Sequence, residues 1–222
     1  MLNGNYVILS IDFDYFVNAN GEYRNLFFPD GNDSTSDFVQ KIIWDRYYPQ
    51  VSEIGIKTEE FNRLIEYCKK TKAYRHRFTA AVQSYESHKW LYDLVSCHQI
   101  GDTSHIFNID FHHDMFCMPY GERVNCGNWG RVLKEENSNL KLTWIADEDS
   151  QREDISGEQV DCYEIWSFED LMQNLDPEDV DIIFMCRSNM WSPPHLDKYY
   201  KELEMQILGE QQLDEREVTV NE

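Results

Sequence analysis

The sequence predicts a single α/β domain in which a mainly parallel sheet carries helices on both faces. Apolar runs of strand length alternate along the chain with segments of helical periodicity. Several of these runs contain few polar residues, as is typical of parallel strands that are covered on both sides. A chain of 222 residues is long enough for one such domain with a sizeable core, whereas two domains would be cramped.

Six segments have the length and composition of β-strands. The first reads YVILSID and ends in an aspartate. The later segments are also rich in the β-branched and aromatic residues that favour strands. In chain order, the six predicted strands are residues 6–12, 78–85, 105–110, 140–145, 162–167 and 180–186.

Three segments carry apolar residues at the spacing of one helical face. In residues 58–71, Thr58 is expected to be the N-cap, and the apolar face consists of Phe61, Leu64, Ile65 and Cys68. In residues 87–96, the predicted apolar face consists of Trp90, Leu91, Leu94 and Val95. The last predicted helix spans residues 195–208, with Ser192 as its cap and Pro193 in its first turn.

The charge balance restricts the partners that the protein can bind. The chain has 41 acidic and 20 basic residues, which gives a formal net charge of -21. Such a charge repels phosphate backbones and anionic lipid headgroups, so we expect no nucleic acid and no membrane as partners. A divalent metal or a cationic substrate is favoured instead. Residues 209–222 are polar and acidic, and we expect them to form a flexible tail after a domain that spans residues 1–208.

The cysteines and the apolar segments indicate a cytoplasmic protein. The six cysteines contain no C-x-x-C pair, which argues against a zinc knuckle and against a dense disulfide framework. The N-terminal apolar run is too short for a signal peptide and lacks a basic segment before it. No other window approaches the length of a membrane span. We therefore expect reduced thiols and a cytoplasmic location.

Acidic residues and histidines follow three of the predicted strands at their carboxyl ends, where open parallel sheets bind ligands. In "NIDFHHD", Asp110, His112 and Asp114 occupy alternate positions. An extended backbone would therefore point these three side chains to the same side. Clustered carboxylates repel one another unless cations bind between them, and oxygen donors with some imidazole favour an ion such as Mn²⁺. The candidate ligands are Asp12, Asp14, His88, Asp110, His112 and Asp114.

The three motifs together resemble the binuclear manganese site of the arginase and agmatinase superfamily of ureohydrolases. That superfamily combines D-x-H-x-D after a strand, an upstream histidine and a separate D-x-D. In its usual members the D-x-D comes last, whereas here "SIDFDYF" comes first. The chain thus resembles a circularly permuted arginase, similar to the peptide arginases of ribosomal peptide maturation. The resemblance implies a three-layer arginase-like fold and two Mn²⁺ ions on the six ligands, with Asp12 and Asp110 bridging.

The resemblance also implies a reaction, which is the hydrolysis of arginine residues in a precursor peptide to ornithine and urea. By family position, Asp114 would accept a proton from the attacking water and pass it to the leaving nitrogen. Glu86 is the candidate for the carboxylate that anchors the guanidinium, and Asn128 and Trp129 are candidate substrate contacts. Ordinary arginases have S-G-N-x-H-G where this chain has "NCGNWGR", and the loop that grips a free amino acid has no counterpart. Both departures are compatible with a peptide substrate.

Three other interpretations stay open at the level of sequence. A small-molecule ureohydrolase that acts on arginine or agmatine would share the metal site. A haloacid-dehalogenase-like phosphatase would use Asp12 as its nucleophile, although the lysine and the further acidic pair of that fold have no clear match. A binding module without activity would keep the fold and lose the metal. The sequence leaves the oligomeric state and the identity of any precursor peptide open.

Overall fold

The computed structural model describes residues 5–29, 33, 36–76, 82–85, 87–97, 104–117, 124–152 and 163–208. Within these ranges the chain forms one six-stranded sheet. Its strands are β1 (Val7–Asp12), β2 (Val82–Tyr85), β3 (His105–Ile109), β4 (Lys141–Ile145), β5 (Glu164–Trp166) and β6 (Ile182–Cys186). Their order across the sheet is β2-β6-β1-β3-β4-β5, and all neighbouring pairs are parallel. The predicted α/β class is therefore confirmed.

The described helices follow or precede the strands in the alternation that the sequence predicts. They are α1 (Gly21–Phe27), α2 (Asp37–Val51), α3 (Thr58–Cys68), α4 (Lys72–His76), α5 (Lys89–Cys97), α6 (Trp129–Glu136), α7 (Phe168–Asn174) and α8 (Asp197–Leu208). Short 3-10 turns lie at Phe13–Phe16, Pro177–Asp179 and Pro194–Leu196.

The sheet separates two hydrophobic cores, because successive strand residues point to opposite faces. Leu9 and Ile11 of β1 belong to one core, in which helices α3, α7 and α8 also bury side chains. Ile8 belongs to the other core, which is closed by α5 and α6. The protein thus has the three layers expected of an α/β fold with helices on both faces.

All six predicted strands are present, and most are shorter than predicted. Strand β2 begins at Val82, and residues 78–81 of its prediction lie outside the described residues. Residues 209–222, the predicted tail, also lie outside them. Among the described helices, none is both long and apolar enough to cross a bilayer.

Three local predictions about the helices are wrong. Lys57 rather than Thr58 is the N-cap of α3, and the Thr58 hydroxyl donates to the carbonyl of Ile56 instead. The last helix begins at Asp197, after a 3-10 turn that has Pro193 at its N-cap, so Ser192 is no cap. Trp90 was predicted on the apolar face of α5 but is 52% exposed. Leu91, Leu94 and Val95 form the face of α5 that packs in the core.

The parallel arrangement positions the candidate site. The central strand β1 lies between β3 and β6, with Asp12 beside Cys186 and Ile11 beside Ile109. Since parallel strands end at the same edge, the segments that follow β1, β2, β3 and β6 meet at one end of the sheet.

Candidate metal centre

Asp12 and Asp14 are positioned by the end of β1 and the 3-10 turn that follows it. Asp12 is the last residue of the strand, and its Oδ1 accepts the N–H of Asp14 at 3.0 Å. This capping bond begins the turn and brings Asp14 back toward the sheet edge. Both side chains are buried, at 6% and 0% exposure.

The D-x-H-x-D segment bends immediately after β3, so its side chains do not converge through an extended backbone as predicted. Asp110 Oδ1 accepts the N–H of His112 at 2.7 Å, which turns the chain. Asp114 has a φ of 54°, in the left-handed region that costs a non-glycine residue roughly 1 kcal/mol. The three predicted ligands still meet in one cluster, and the bends bring them there.

His88 lies between the end of β2 and the start of α5, with only 1% of its side chain exposed. Its ring stacks between Trp129 and Phe184, at centroid distances of 5.3 and 5.7 Å. Nε2 is 2.8 Å from the hydroxyl of Ser10 on β1. A proton on Nε2 donates to this oxygen and leaves Nδ1 free to face the carboxylates, as second-shell partners of metal-binding histidines commonly do.

One group of donors surrounds Nδ1 of His88. Asp12 Oδ2 is 3.0 Å from this nitrogen, and the Oδ2 atoms of Asp110 and Asp114 are each 3.5 Å from it. Trp129 Nε1 donates a hydrogen bond to the same oxygen of Asp114. The group therefore combines one imidazole nitrogen with three carboxylate oxygens.

A second group surrounds Nδ1 of His112. Asp14 Oδ2 is 3.0 Å from this nitrogen, and Asp110 Oδ1 is 3.9 Å from it. Asp110 thus contributes one oxygen to each group, although its Oδ1 also accepts the N–H of His112, so its bridging role stays a prediction. Asp12 contributes Oδ2 to the first group while its Oδ1 accepts the N–H of Asp14, so its own bridging role stays a prediction.

The donor set fits two divalent cations. Bonds of about 2.1 Å place two donors of one ion at most about 4.2 Å apart, and the separations of 3.0 to 3.9 Å satisfy this limit. Asp14 Oδ2 is buried and makes no hydrogen bond of good geometry, and its neighbours there are Nδ1 of His112 at 3.0 Å and Nη1 of Arg24 at 3.5 Å. Carboxylate and imidazole donors suit Mn²⁺ better than thiolate-selective ions.

Without a cation the cluster resists ionisation. Burial, together with the neighbouring carboxylates, raises the pKa of Asp12 and of Asp110 well above the ordinary range. Burial raises the pKa of Asp114 to about 7. Burial also lowers the pKa of His88, which keeps this ring neutral and able to bind a metal. The carboxylates therefore bind protons where a metal would otherwise supply the compensating charge.

The second group has a fixed cation of its own. Arg24 is 2% exposed, and its Nη1 lies 3.5 Å from Asp14 Oδ2. The same guanidinium donates to the carbonyl groups of Asp14, Val17 and Ala19 and lies 3.7 Å from the centroid of the Phe111 ring. Burial opposes the ionisation of Asp14, but the charges of His112 and Arg24 outweigh it and lower the pKa of this carboxyl.

No known protein family, curated protein or solved structure matches this chain. The site must therefore be interpreted from its own geometry.

The three predicted substrate-binding residues are Trp129, Asn128 and Glu86, and the structure describes the first two. Trp129 is fully buried, where it bonds Asp114 and stacks on His88, so its observed contacts are with ligands of the cluster. Asn128 is also buried, and its Oδ1 accepts the N–H of Asn125 at 2.7 Å. Their contact with a substrate stays a prediction. Glu86 lies outside the described residues.

The sequence interpretation missed three residues at the site. Cys186 ends β6 beside Asp12 and joins Asp12 and His88 as a potential donor, but burial raises the pKa of its thiol and keeps it protonated. Because Cys186 follows an apolar run at a predicted strand end, the sequence contained the pattern needed to predict it as a residue of the site. Arg24 and Asp33 gave no such signal, because neither follows a strand and buried charged residues do not alter the apolar pattern.

Proposed function

We propose that the protein is a two-metal hydrolase that converts arginine residues of a precursor peptide to ornithine and releases urea. The observation that carries this proposal is the pair of donor groups that share Asp110 through its two oxygens. Two-metal sites of this kind activate water for hydrolysis. The D-x-D, D-x-H-x-D and histidine motifs that resemble the ureohydrolases supply all the carboxylates and imidazoles of both groups.

The residues that would hold two Mn²⁺ ions are the six predicted ligands. His88, Asp12 and Asp114 would hold one ion, His112 and Asp14 the other, and Asp110 both. Ions bound there lower the pKa of a bound water, so that hydroxide is available at neutral pH. The protein's own contribution is to hold these donors rigidly, through Ser10 on His88 and Trp129 on Asp114.

A buried carboxylate beside the cluster supports a cationic substrate. Asp33 is 4% exposed, and it accepts hydrogen bonds from the N–H of Met190 at 2.8 Å and the hydroxyl of Ser188 at 3.2 Å. Both donors are neutral, and Ser188 also lies beside the ligand Asp12. Burial raises the pKa of Asp33 to about 7, and a cationic partner would favour its ionised form. A guanidinium group would supply that positive charge next to the metal ligands.

The reaction breaks the bond between the guanidinium carbon and the side-chain nitrogen that stays on the peptide. As the resemblance implies, Asp114 would accept a proton from the attacking water and give it to this leaving nitrogen, which becomes the ornithine amine. Its carboxylate is held by the Trp129 N–H and by the unusual backbone of Asp114. Proton transfer by a positioned carboxylate typically contributes a factor of about 10² to 10⁴ in rate.

The charges around the site favour peptide-bound arginine over free arginine. A free amino acid brings a carboxylate that needs a cation of its own. Of the described residues, Arg24 is the cation in contact with the cluster, and it is buried with its hydrogen bonds directed at backbone carbonyls. A peptide presents neutral amides instead, and poor positioning of the free amino acid lowers rate as well as affinity.

Mass spectrometry tests the proposal directly. An arginine-containing peptide incubated with protein and Mn²⁺ should lose about 42 Da per modified arginine, and chelation of the metal should stop the loss. Free arginine and agmatine, assayed for urea at the same metal loading, should turn over less efficiently than the peptide. Equal or faster turnover of either small molecule would make the protein a small-molecule ureohydrolase.

Asp12→Asn and Asp110→Asn test the donor groups. Each removes one negative charge from the cluster without opening an apolar cavity, so we expect a folded protein with activity lost and Mn²⁺ binding weakened. Asp149→Asn removes the same charge from an exposed loop and is the matched control. Wild-type turnover by Asp12→Asn or Asp110→Asn with added Mn²⁺ would contradict the assignment.

A further inference from the structure

Solvent reaches the donor cluster at one ligand. The side chain of His112 is 22% exposed, whereas the other five ligand side chains are at most 6% exposed. A substrate that enters from solvent therefore meets the cluster at His112 first. The side chains around this imidazole form the entrance of the proposed active site.

Trp191 lies at this entrance. Its ring centroid is 4.5 Å from that of His112, with the planes tilted by 57°, and the indole is half-buried. One part of the ring thus contacts a metal ligand while another part remains open to solvent. A planar group beside His112 would also contact the indole.

The turn that carries Trp191 is fixed by contacts of its own. Ser188 has a φ of 53°, and its carbonyl accepts the N–H groups of Trp191 and Ser192, each at 3.0 Å. The carboxylate of Asp33 binds the Ser188 hydroxyl and the Met190 N–H. The backbone that carries the indole is therefore held in place before a substrate binds, which lowers the cost of ordering this segment when the indole contacts a substrate.

We propose that Trp191 is a substrate-positioning residue, on which the guanidinium group and adjoining methylenes of the arginine side chain pack as it reaches the cluster. This inference rests on the proposed function. Indole is the aromatic ring that binds cations best, and the planar guanidinium stacks on it through both charge and area. The Asp33 carboxylate, through its hydrogen bonds to Ser188 and Met190, supports the backbone of the turn that carries the indole.

The test compares Trp191→Ala and Trp191→Phe with wild type on an arginine-containing peptide at saturating Mn²⁺. We expect KM to rise about tenfold for Trp191→Ala and about two- to threefold for Trp191→Phe, with a smaller change in kcat. Phe38→Ala, which truncates a 73% exposed aromatic side chain on α2, is the control and should leave KM unchanged. Bound Mn²⁺ per protein, from elemental analysis, should match wild type in all three variants.

A second peptide separates substrate contact from a merely structural role. Citrulline has nearly the shape of arginine without its charge, so a citrulline-containing peptide used as an inhibitor should lose little affinity in Trp191→Ala. The inference is overturned if KM for the arginine peptide is unchanged, if both peptides weaken equally, or if Mn²⁺ is lost in Trp191→Phe. Failure of the proposed function is a different outcome, in which wild-type protein loaded with Mn²⁺ leaves the arginine peptide unmodified.

Discussion

Replacement of Trp129 by phenylalanine isolates the indole N–H that supports Asp114. The phenyl ring keeps the stack on His88 but removes the hydrogen bond to Asp114 Oδ2. Loss of this buried hydrogen bond costs about 1 to 3 kcal/mol, and the smaller ring adds a packing loss, so we expect the free energy of unfolding to fall by about 2 to 4 kcal/mol. Loss of such support to a ligand typically costs about 10- to 100-fold in metal affinity.

The measurements are urea unfolding in the presence of a chelator and calorimetric titration with Mn²⁺. Tyr67→Phe is the matched control, because Tyr67 of α3 is also buried and its hydroxyl donates to the carbonyl of Leu175, at the end of α7, at 3.0 Å. This control should lose stability and keep wild-type Mn²⁺ affinity within about twofold. The reasoning is refuted if Trp129→Phe unfolds more easily yet binds Mn²⁺ as tightly as wild type.

Two further predictions concern stability. Arg24→Met removes the cation that pairs with a buried carboxylate and should lower the free energy of unfolding by about 3 to 5 kcal/mol, whereas Arg63→Met, which breaks an exposed ion pair, should have a much smaller effect in the same urea titration. Equal losses in the two variants would be inconsistent with this account. Burial and the charge of Lys141 lower the pKa of His105 to about 4, below its value of about 6.5 in an unfolded chain. Between these pH values the unfolded chain binds the extra proton, so stability should fall as pH decreases from 6.5 to 4. His105→Gln should lose this part of the pH dependence, and a stability difference from wild type that is the same at pH 7 and pH 5 would exclude the effect.

The strands and the clustering of the six candidate ligands were predictable because both follow from patterns of residues that are close together in the sequence. Apolar runs identified the strands, and parallel pairing then required that residues after Asp12 and Ile109 meet at one edge. The argument for the D-x-H-x-D segment used an extended backbone, and the structure reaches the same cluster through a bend at Asp114. The proximity of the ligands followed from topology, whereas the local geometry needed the structure.

The surroundings of the ligands were not predictable, because they depend on contacts between distant segments. Arg24 reaches Asp14 from a helix, and Asp33 reaches the site through the turn after β6, 155 residues later in the chain. The place of Trp129 in its motif predicted a substrate contact, which stays a prediction, but not its burial against His88, which results from the packing of α6 beside α5. Local periodicity contains no information on such pairings.

The order of the strands in the sheet has a consequence for how the protein is made. Strand β1 emerges first from the ribosome, yet its partner in the sheet on one side, β6, lies 174 residues farther along, where Asp181 accepts the N–H of Val7. Strand β1 therefore has no partner on that side until β6 and nearly all the described chain have been synthesised. Contacts of such long sequence separation slow folding and expose apolar strand edges in the meantime. Because Asp12 lies at the end of β1 and Asp14 in the turn after it, the cluster of candidate ligands is completed late in folding, after the sheet has closed around β1.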